Sequence, residues 1–383
     1  MTHFIRNPFR FEGIVTGDEF CDRKSDIDSL LQYMHSGNNV IISMKRRVGK
    51  SSLIKEIFEN HIDKKQLISG YADIYGITSI KELYLSLKDE IEKIVGLSTK
   101  LNIASERITN AFSDAEVFLE VSKNPKVKIE FAGNDYALLI KKLFLSLQEY
   151  AEDNSLQFVF AIDEFQKITC LSKEEVDKIE TNLRTAMQDS KRISFILSGS
   201  NQTMLDKMFQ EGRPLYRQGV HYPLEPIDED IFFKWVSKKF KRKEITISRE
   251  AFSYIYKLSN GEAKIVQQIC FELFARTKEL ENIELEDVCI IVEKIYKNNS
   301  EISAKFNMLK LNEQKMLKVI ALEDGSGVTV SPLLLEYNIS SGSVSNILKR
   351  MAEDYIIAKR DSRYEIIDSE LKLWILVDKQ ALC

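Results

Sequence analysis

Three consecutive residues, Gly49-Lys50-Ser51, have the chemistry to hold a phosphate. A glycine lets the backbone approach an anion closely, a lysine supplies positive charge to the β- and γ-phosphates, and a hydroxyl can ligate Mg²⁺. An apolar run, "NVIISM", enters this loop, and an apolar-periodic run, "SLIKEIF", leaves it. That is the strand-loop-helix setting in which backbone N–H groups at a helix N-terminus surround a phosphate. The full pattern G-x-x-x-x-G-K-[ST] is broken at one place, where Met44 replaces the first glycine. That glycine eases the turn out of the strand and matters less for the approach to phosphate.

A second pair strengthens the first. Asp163-Glu164 closes the apolar run "LQFVFAIDEF", 112 residues after Ser51. At the carboxyl edge of a parallel sheet such an aspartate holds Mg²⁺, and the adjacent glutamate orients or deprotonates an attacking water. Either motif alone is weak, since apolar strands often end in two solvated acids. In this order they predict the site of a P-loop NTPase, holding a nucleotide and Mg²⁺. Lys50 and the loop residues Val48, Gly49, Ser51 and Ser52 face phosphate, Ser51 and Asp163 face the metal, and Glu164 faces water. Arg46 and Arg47 either contact phosphates or an adjacent subunit, or form a solvated basic loop. In "SGSN", Ser200 either senses the terminal phosphate or caps the next helix. In "EGRPLYRQG", Arg217 suits an arginine finger better than Arg213 does.

The elements that must position these residues read as an α/β domain. Strand-like runs at 39–44, 66–74, 156–165 and 192–200 alternate with helical runs near 50–60, 79–95, 135–153 and 173–188. Apolar strands buried on both faces and separated by helices imply a parallel sheet. The stretch 97–134 reads as an insertion of undefined shape. After "YPLEPID" the strand pattern stops, and 231–298 reads as helices only, with a break at Asn260-Gly261. From about residue 300, three helices precede a hairpin over 355–368 with its turn at Asp361-Ser362, the order of a winged helix-turn-helix. The expected domains are therefore a nucleotide-binding core over 1–226, a helical lid over 227–298 and a winged helix-turn-helix over 299–383.

Composition excludes more than it assigns. The 383 residues are 44% hydrophobic and 29% charged, with net charge -4, so no overall basic field argues for nucleic acid. The five cysteines are scattered, with no C-x-x-C pair, which favours reduced thiols in a cytoplasmic protein over disulfides or zinc. The four histidines are isolated, which leaves a histidine-based catalytic centre without support. No window is apolar enough for a membrane span.

The order "NPF", "F-x-x-R", "RRxGKSSL", "IDEFQ", "SGSN", "PLYR", "LEPI", a helical lid and a winged helix resembles the prokaryotic archaeal-type ATPases. These belong to the STAND branch (signal-transduction ATPases with numerous domains) of the AAA-related P-loop proteins. The resemblance runs from Asn7 to the final "LKLWIL" and implies an ATPase with Mg²⁺. It implies that Arg23 and its segment lie by the adenine and that Arg217 faces the γ-phosphate. It places Gly261, of the lid turn Gly261-Glu262-Ala263, beside the nucleotide. Three departures, Met44, Lys45 and Ala263 (where the family often has glycine, proline and proline), bear on turnover more than on binding. The winged helix leaves two partners open. Ser343, Asn346, Lys349 and Arg350 on one helix and Lys359 and Arg360 on the wing suit double-stranded DNA. A domain of near-zero net charge suits a protein partner or a homo-oligomer as well.

Overall fold

The computed structural model describes residues 5–43, 47–98, 105–120, 126–278, 281–360 and 362–382. It divides into two compact units, one over Ile14–Glu225 and one that joins the N-terminal residues up to Gly13 to the chain from Pro226 onward.

The first unit is built on a five-stranded parallel sheet. Its strands are β1 (Val40–Ser43), β2 (Ile68–Asp73), β5 (Phe158–Asp163), β6 (Ile193–Gly199) and β7 (Val220–His221). Their order across the sheet is β2-β5-β6-β1-β7. The helices between them are α1 (Lys24–His35), α2 (Lys50–Glu56), α3 (Ile80–Ser98), α4 (Ser105–Ala111), α5 (Tyr136–Asp153), α6 (Lys173–Asp189) and α7 (Gln202–Met208).

Side chains alternate across a strand, so a strand buried on both faces feeds two cores. In β5, Phe158, Phe160 and Ile162 join the layer of α3, α5 and α6, where Phe144 meets Phe160 at 5.1 Å and Phe195 at 5.0 Å. Val159 and Ala161 join the opposite layer, with Leu30 and Met34 of α1 and Leu53 and Ile54 of α2. The expected strands and helices recur here within a few residues. After α2 the chain continues as a π-helical turn, Ile57–His61, rather than as α-helix. Three strands of this unit were missed. β7 is only two residues long, and β3 (Ala115–Glu120) pairs antiparallel with β4 (Lys126–Phe131) inside the supposed shapeless insertion. Val127 and Ile129 alternate with charged residues, a period-2 signal that went unread.

The second unit is mainly helical. It contains α8 (Glu229–Phe240), α9 (Arg249–Leu258), α10 (Ala263–Arg276) and α11 (Leu285–Tyr296). The break between α9 and α10 falls at Asn260-Gly261 as expected. The helices-only expectation needs one correction, because β8 (Thr246–Ile247) pairs parallel with β9 (Asn282–Ile283). Strands of two residues are too short for periodicity to register.

The chain continues through α12 (Ser300–Asn307), α13 (Leu311–Leu322), α14 (Leu333–Glu336) and α15 (Ser341–Glu353). An antiparallel hairpin, β10 (Ile357–Arg360) with β11 (Arg363–Ile366), and α16 (Ser369–Asp378) complete it. Asp361, in the expected turn, lies outside the described residues.

The first segment does not group with the nucleotide-binding core, where the sequence had placed it. Phe9 is buried against Phe240 at 4.9 Å, Trp235 at 6.0 Å and Phe274 at 6.2 Å. Asn7 Nδ2 donates to the Phe271 carbonyl at 2.9 Å, and its Oδ1 accepts from Phe9 N at 3.1 Å. Burial of an aromatic side chain by partners more than 200 residues away leaves no local trace.

Cys21, Cys170 and Cys270 are free thiols, and burial holds the Cys270 thiol far above its ordinary range. Cys289 is disulfide-bonded, against the expectation of reduced thiols, because chain spacing does not reveal which thiols meet in space. Cys383 lies outside the described residues. Among the described residues no helix is long and apolar enough to cross a membrane.

Candidate nucleotide site

All strands of the sheet run parallel, so the carboxyl ends of β1, β5 and β6 lie on one edge. Ligands of open α/β sheets bind at that edge. β1 leads towards the loop, of which Met44, Lys45 and Arg46 lie outside the described residues. Arg47 and Gly49 both have left-handed backbone, at φ 70° and 93°. Gly49 is the residue before α2, where an L side chain would be strained. Lys50, at 5% exposure, and Ser51 begin α2, so the free N–H groups of its first turn open on the loop. Ser52 points elsewhere than the sequence suggested: its hydroxyl accepts a hydrogen bond from Val15 N at 3.1 Å and ties the preceding chain to α2.

Asp163 is the centre of the arrangement. It is 2% exposed and accepts four hydrogen bonds. Its Oδ2 takes the Ser51 hydroxyl at 2.5 Å and the Tyr71 hydroxyl at 2.6 Å. Its Oδ1 takes the Ser198 hydroxyl at 2.5 Å and Glu164 N at 3.0 Å. Burial, and then the Asp163 carboxylate, hold the Tyr71 phenol far above its ordinary range, so it stays a donor. The contact between Ser51 and Asp163 puts two hard oxygens at one point. Mg²⁺ is characteristically held by one or two such protein oxygens, with waters and phosphate oxygens completing six. Among the described residues no group of three or more His, Cys, Asp or Glu could hold a metal ion. The donor set fits Mg²⁺.

Glu164 also has left-handed backbone, at φ 58°. Its Oε2 accepts from the Ser200 hydroxyl at 2.6 Å and from Gln166 Nε2 at 2.5 Å. Ser200 therefore orients Glu164 and is not the cap of the next helix. That role falls to Asn201, whose side chain accepts from Met204 N at 3.0 Å. Gln166 is buried so tightly under β6 that a Cβ on Gly199 would lie 2.2 Å from its Oε1, which has no hydrogen-bond partner among the described residues. Tyr71, Ser198 and Gln166 are site residues the sequence reading missed. Gln166 stood in the quoted "IDEFQ" and Ser198 in "SGSN", but nothing local marks Tyr71.

Arg23 is placed by the structure inside the protein scaffold, at 5% exposure. Its guanidinium donates to Asp26 Oδ2 at 3.0 Å, the Glu225 carbonyl at 2.9 Å and the Val48 carbonyl at 2.9 Å. It clasps the loop from behind, and its expected contact with adenine has few donors left. Removing a buried charge that makes three hydrogen bonds leaves its acceptors unpaired, at about 3 kcal/mol. Arg23→Ala is therefore expected to lower the melting temperature by several degrees and to weaken ATP binding together. Lost ATP affinity at an unchanged melting temperature would instead show that Arg23 touches the nucleotide.

The two arginines of the next loop separate cleanly. Arg213 is locked to α6, with Nη2 2.5 Å from Glu180 Oε1 and Nη1 3.3 Å from Asp177 Oδ1. Burial holds the Glu180 carboxyl above its ordinary range, against the pull of Arg213. Arg217 is exposed, with left-handed backbone at φ 57°, and its guanidinium lies 5.0 Å from the Tyr216 ring centroid. Gly261 belongs to the second unit, at φ 69°, where an added Cβ would meet Pro226 and Tyr256 at about 3 Å.

The residues proposed for nucleic acid also divide. Asn346 and Lys349 lie on the exposed face of α15, opposite buried Val344, Ile347 and Leu348. Lys359 is exposed beside the Tyr364 ring at 5.6 Å, and the Arg360 side chain lies outside the described residues. Ser343 donates to the Ser340 carbonyl at 2.8 Å, a helix-start contact. Arg350 binds Glu313 of α13 through Nε at 2.9 Å and Nη2 at 2.8 Å, and that Glu313 side chain is only 4% exposed. Arg350 thus joins two helices and is not free to reach a groove.

The family model for an ATPase domain found predominantly in Archaea matches residues 20–269. An uncharacterized ATP-binding protein of Methanocaldococcus jannaschii is 19% identical over 318 residues, which are 79% of this chain and 86% of that protein. The Walker-type ATPase of Pyrococcus abyssi has a similar structure, at a TM-score of 0.67 and 15% identity, over 96% of this chain and 99% of that one. So does the ORC2 protein of Aeropyrum pernix, solved as ADPNP and ADP complexes, at 0.57 and 16% over 96% of each chain. At these identities the structural likeness speaks for the P-loop NTPase fold alone. The family match spans more than half of the sequence and includes both the lysine loop and the Asp163-Glu164 strand, so the chain belongs to the family of ATPase domains found predominantly in Archaea.

Proposed function

We propose that the protein is a cytoplasmic, Mg²⁺-dependent, slowly hydrolysing ATPase of the STAND branch. It acts as a nucleotide-gated switch coupled to double-stranded DNA through a winged helix-turn-helix made of α13, α14, α15 and the β10–β11 hairpin. The convergence of Ser51, Tyr71 and Ser198 on buried Asp163 carries the enzymatic half of this reading. Lys50 and the N–H groups of the loop bind the phosphates, and Ser51 with Asp163 holds the metal. Bound Mg²⁺ supplies charge neutralisation at the phosphate oxygens. Glu164, oriented by Ser200 and Gln166, accepts the proton of the attacking water. Arg217, exposed and without an ion pair among the described residues, stabilises transition-state charge, in trans if the protein assembles as a homo-oligomer. The departures at Met44, Lys45 and Ala263 motivate slow turnover.

The gating half rests on the turn that follows Gly261. Glu262, 3% exposed, accepts the Ser369 hydroxyl at 2.5 Å, and Lys264 pairs with Glu370 at 3.4 Å. The start of α10 is thereby bonded to the start of α16. The lid and the C-terminal module thus respond to nucleotide as one body. ATP biases the arrangement of the nucleotide-binding core and this body only through a difference in affinity between two states. Small-angle scattering of the apo, ADP and ATP-analogue forms is expected to differ, and three superimposable curves would remove the switch.

One observation favours a second reading, in which the C-terminal module docks a protein. Met308, Leu311, Val330 and Leu335 are between 66% and 85% exposed, an unusual display of large apolar side chains. Filter binding of a DNA duplex at low salt, with and without ATP, separates the two. If DNA is the partner, affinity falls steeply with salt as counterions are released. The double variant Lys349→Glu/Lys359→Glu then weakens binding on every sequence by about tenfold or more. No duplex binding in either nucleotide state leaves the protein-docking reading. Arg350 is unsuitable for this test, since its reversal would strand buried Glu313.

A further inference from the structure

A cavity of about 400 Å³ opens on the outer side of β2, the edge strand of the sheet. It lies between the end of α2 with its π-helical turn, β2 and α3. Its walls include the apolar side chains of Phe58, Ile68, Tyr71 and Leu97. Its rim carries Lys55, Lys64, Lys65 and Lys93 against Glu59 and Glu90. The two acids are already engaged. Glu59 accepts the Thr16 hydroxyl at 2.9 Å, and Glu90 accepts Tyr71 N at 3.0 Å and pairs with Lys93 at 3.1 Å. Lys55, Lys64 and Lys65 form no ion pair with a carboxylate among the described residues. Lys55 instead lies 3.8 Å from the centroid of the Tyr71 ring. Burial lowers the proton affinity of its ammonium, with nearby Glu90 opposing.

An apolar cavity of this size with a few convergent charges is the form of a small-molecule site. Here the uncompensated charges are positive. Its position makes it more than a pocket. The face of the Tyr71 ring borders the cavity and receives Lys55, while the hydroxyl of the same side chain donates to Asp163 Oδ2 at 2.6 Å. That oxygen also receives Ser51, the other candidate metal ligand. One rigid side chain therefore spans the distance from the cavity to the metal site.

We propose that this cavity is an effector site for a small organic anion with an apolar body, and that its occupant tightens Mg²⁺ binding through Lys55 and Tyr71. The anion's head group pairs with Lys55, Lys64 and Lys65, and its body lies on Phe58, Ile68 and Leu97. Neutralising Lys55 removes positive charge from the neighbourhood of Asp163. It also removes the cation that polarises the Tyr71 ring, which weakens the hydroxyl's hold on Oδ2. Both effects leave Asp163 more available to a cation, so they act in the same direction. By linkage, the metal-nucleotide complex tightens the effector to the same degree.

The coupling half of this proposal rests on the Mg²⁺-ATP site proposed above, but the binding half does not, and the experiment reads the two separately. The probe is 8-anilinonaphthalene-1-sulfonate, an aromatic sulfonate whose fluorescence rises in an apolar site. The folded full chain is expected to bind one probe saturably without nucleotide. Lys64→Glu/Lys65→Glu, at the cavity rim and remote from the loop, is expected to weaken that binding by about tenfold. Absent or multiple weak binding, or equal binding by this variant, would overturn the site. The second measurement is the Mg²⁺ midpoint for binding of radiolabelled ATP, with and without saturating probe. The midpoint is expected to fall about fivefold in the parent. In Tyr71→Phe, whatever its own midpoint, the probe is expected to cause a smaller shift than in the parent, and an equal shift would remove Tyr71 from the coupling. A probe that binds without moving the parent midpoint would overturn the coupling. A chain that binds the probe but no ATP at any Mg²⁺ concentration would sink the nucleotide reading and leave the cavity standing.

Discussion

Lys50→Ala is expected to lose ATP affinity by a factor of about 100 to 1,000 while keeping its fold. Lys50 is 5% exposed and is the first residue of α2. There it adds a full charge to the partial charges of the helix N-terminus, where a triphosphate would place its own. A charge-assisted contact in such a place contributes about 3 to 4 kcal/mol to binding once its partner is left unpaired. Isothermal titration with ATP and Mg²⁺, beside a thermal melt of the same preparation, measures it. The melt shows whether the variant is folded, so that lost affinity is read at the loop and not from unfolding. Equal ATP binding by parent and variant would show that the loop is not the phosphate site.

The second large effect is expected at Glu164, and it is of the opposite kind. Glu164→Gln is expected to bind ATP within a factor of about three and to turn over at least about 100-fold more slowly. Ser200 and Gln166 both address Oε2, so the other oxygen has no hydrogen bond among the described residues and is the one able to take a proton. The amide side chain fills the same space and keeps an oxygen for the hydroxyl of Ser200, but it cannot act as a base at neutral pH. Single-turnover hydrolysis with pre-bound ATP isolates the chemical step from product release. If the rate survives, the proton goes elsewhere, and Glu164 is an electrostatic neighbour of the metal only. The two variants together separate binding from chemistry, since one loses the first and the other loses the second.

Much of this protein was legible before any coordinates. Apolar runs that alternate with amphipathic helices determined the α/β class, because burial on both faces of a parallel sheet leaves strands without polar alternation. Gly49-Lys50-Ser51 and Asp163-Glu164 pointed to phosphate and metal chemistry, because each motif works through residues adjacent in the chain. The helix break at Asn260-Gly261 and the hairpin after α15 were determined in the same local way. Tertiary structure alone decided which side chains meet across elements. β2 lies beside β5 rather than beside β1, with Tyr71 opposite Ala161 and Asp73 opposite Asp163. That choice brings a tyrosine hydroxyl to the Asp163 carboxylate and leaves the far side of β2 as a cavity wall. The same holds for Arg23 clasping the loop, for Arg350 tied to Glu313, and for Phe9 buried among the aromatics of the second unit. Each of these contacts depends on strand order or helix packing between segments tens to hundreds of residues apart. Side-chain type and local spacing carry no record of that pairing, because any exposed arginine or tyrosine reads the same until a partner is brought to it.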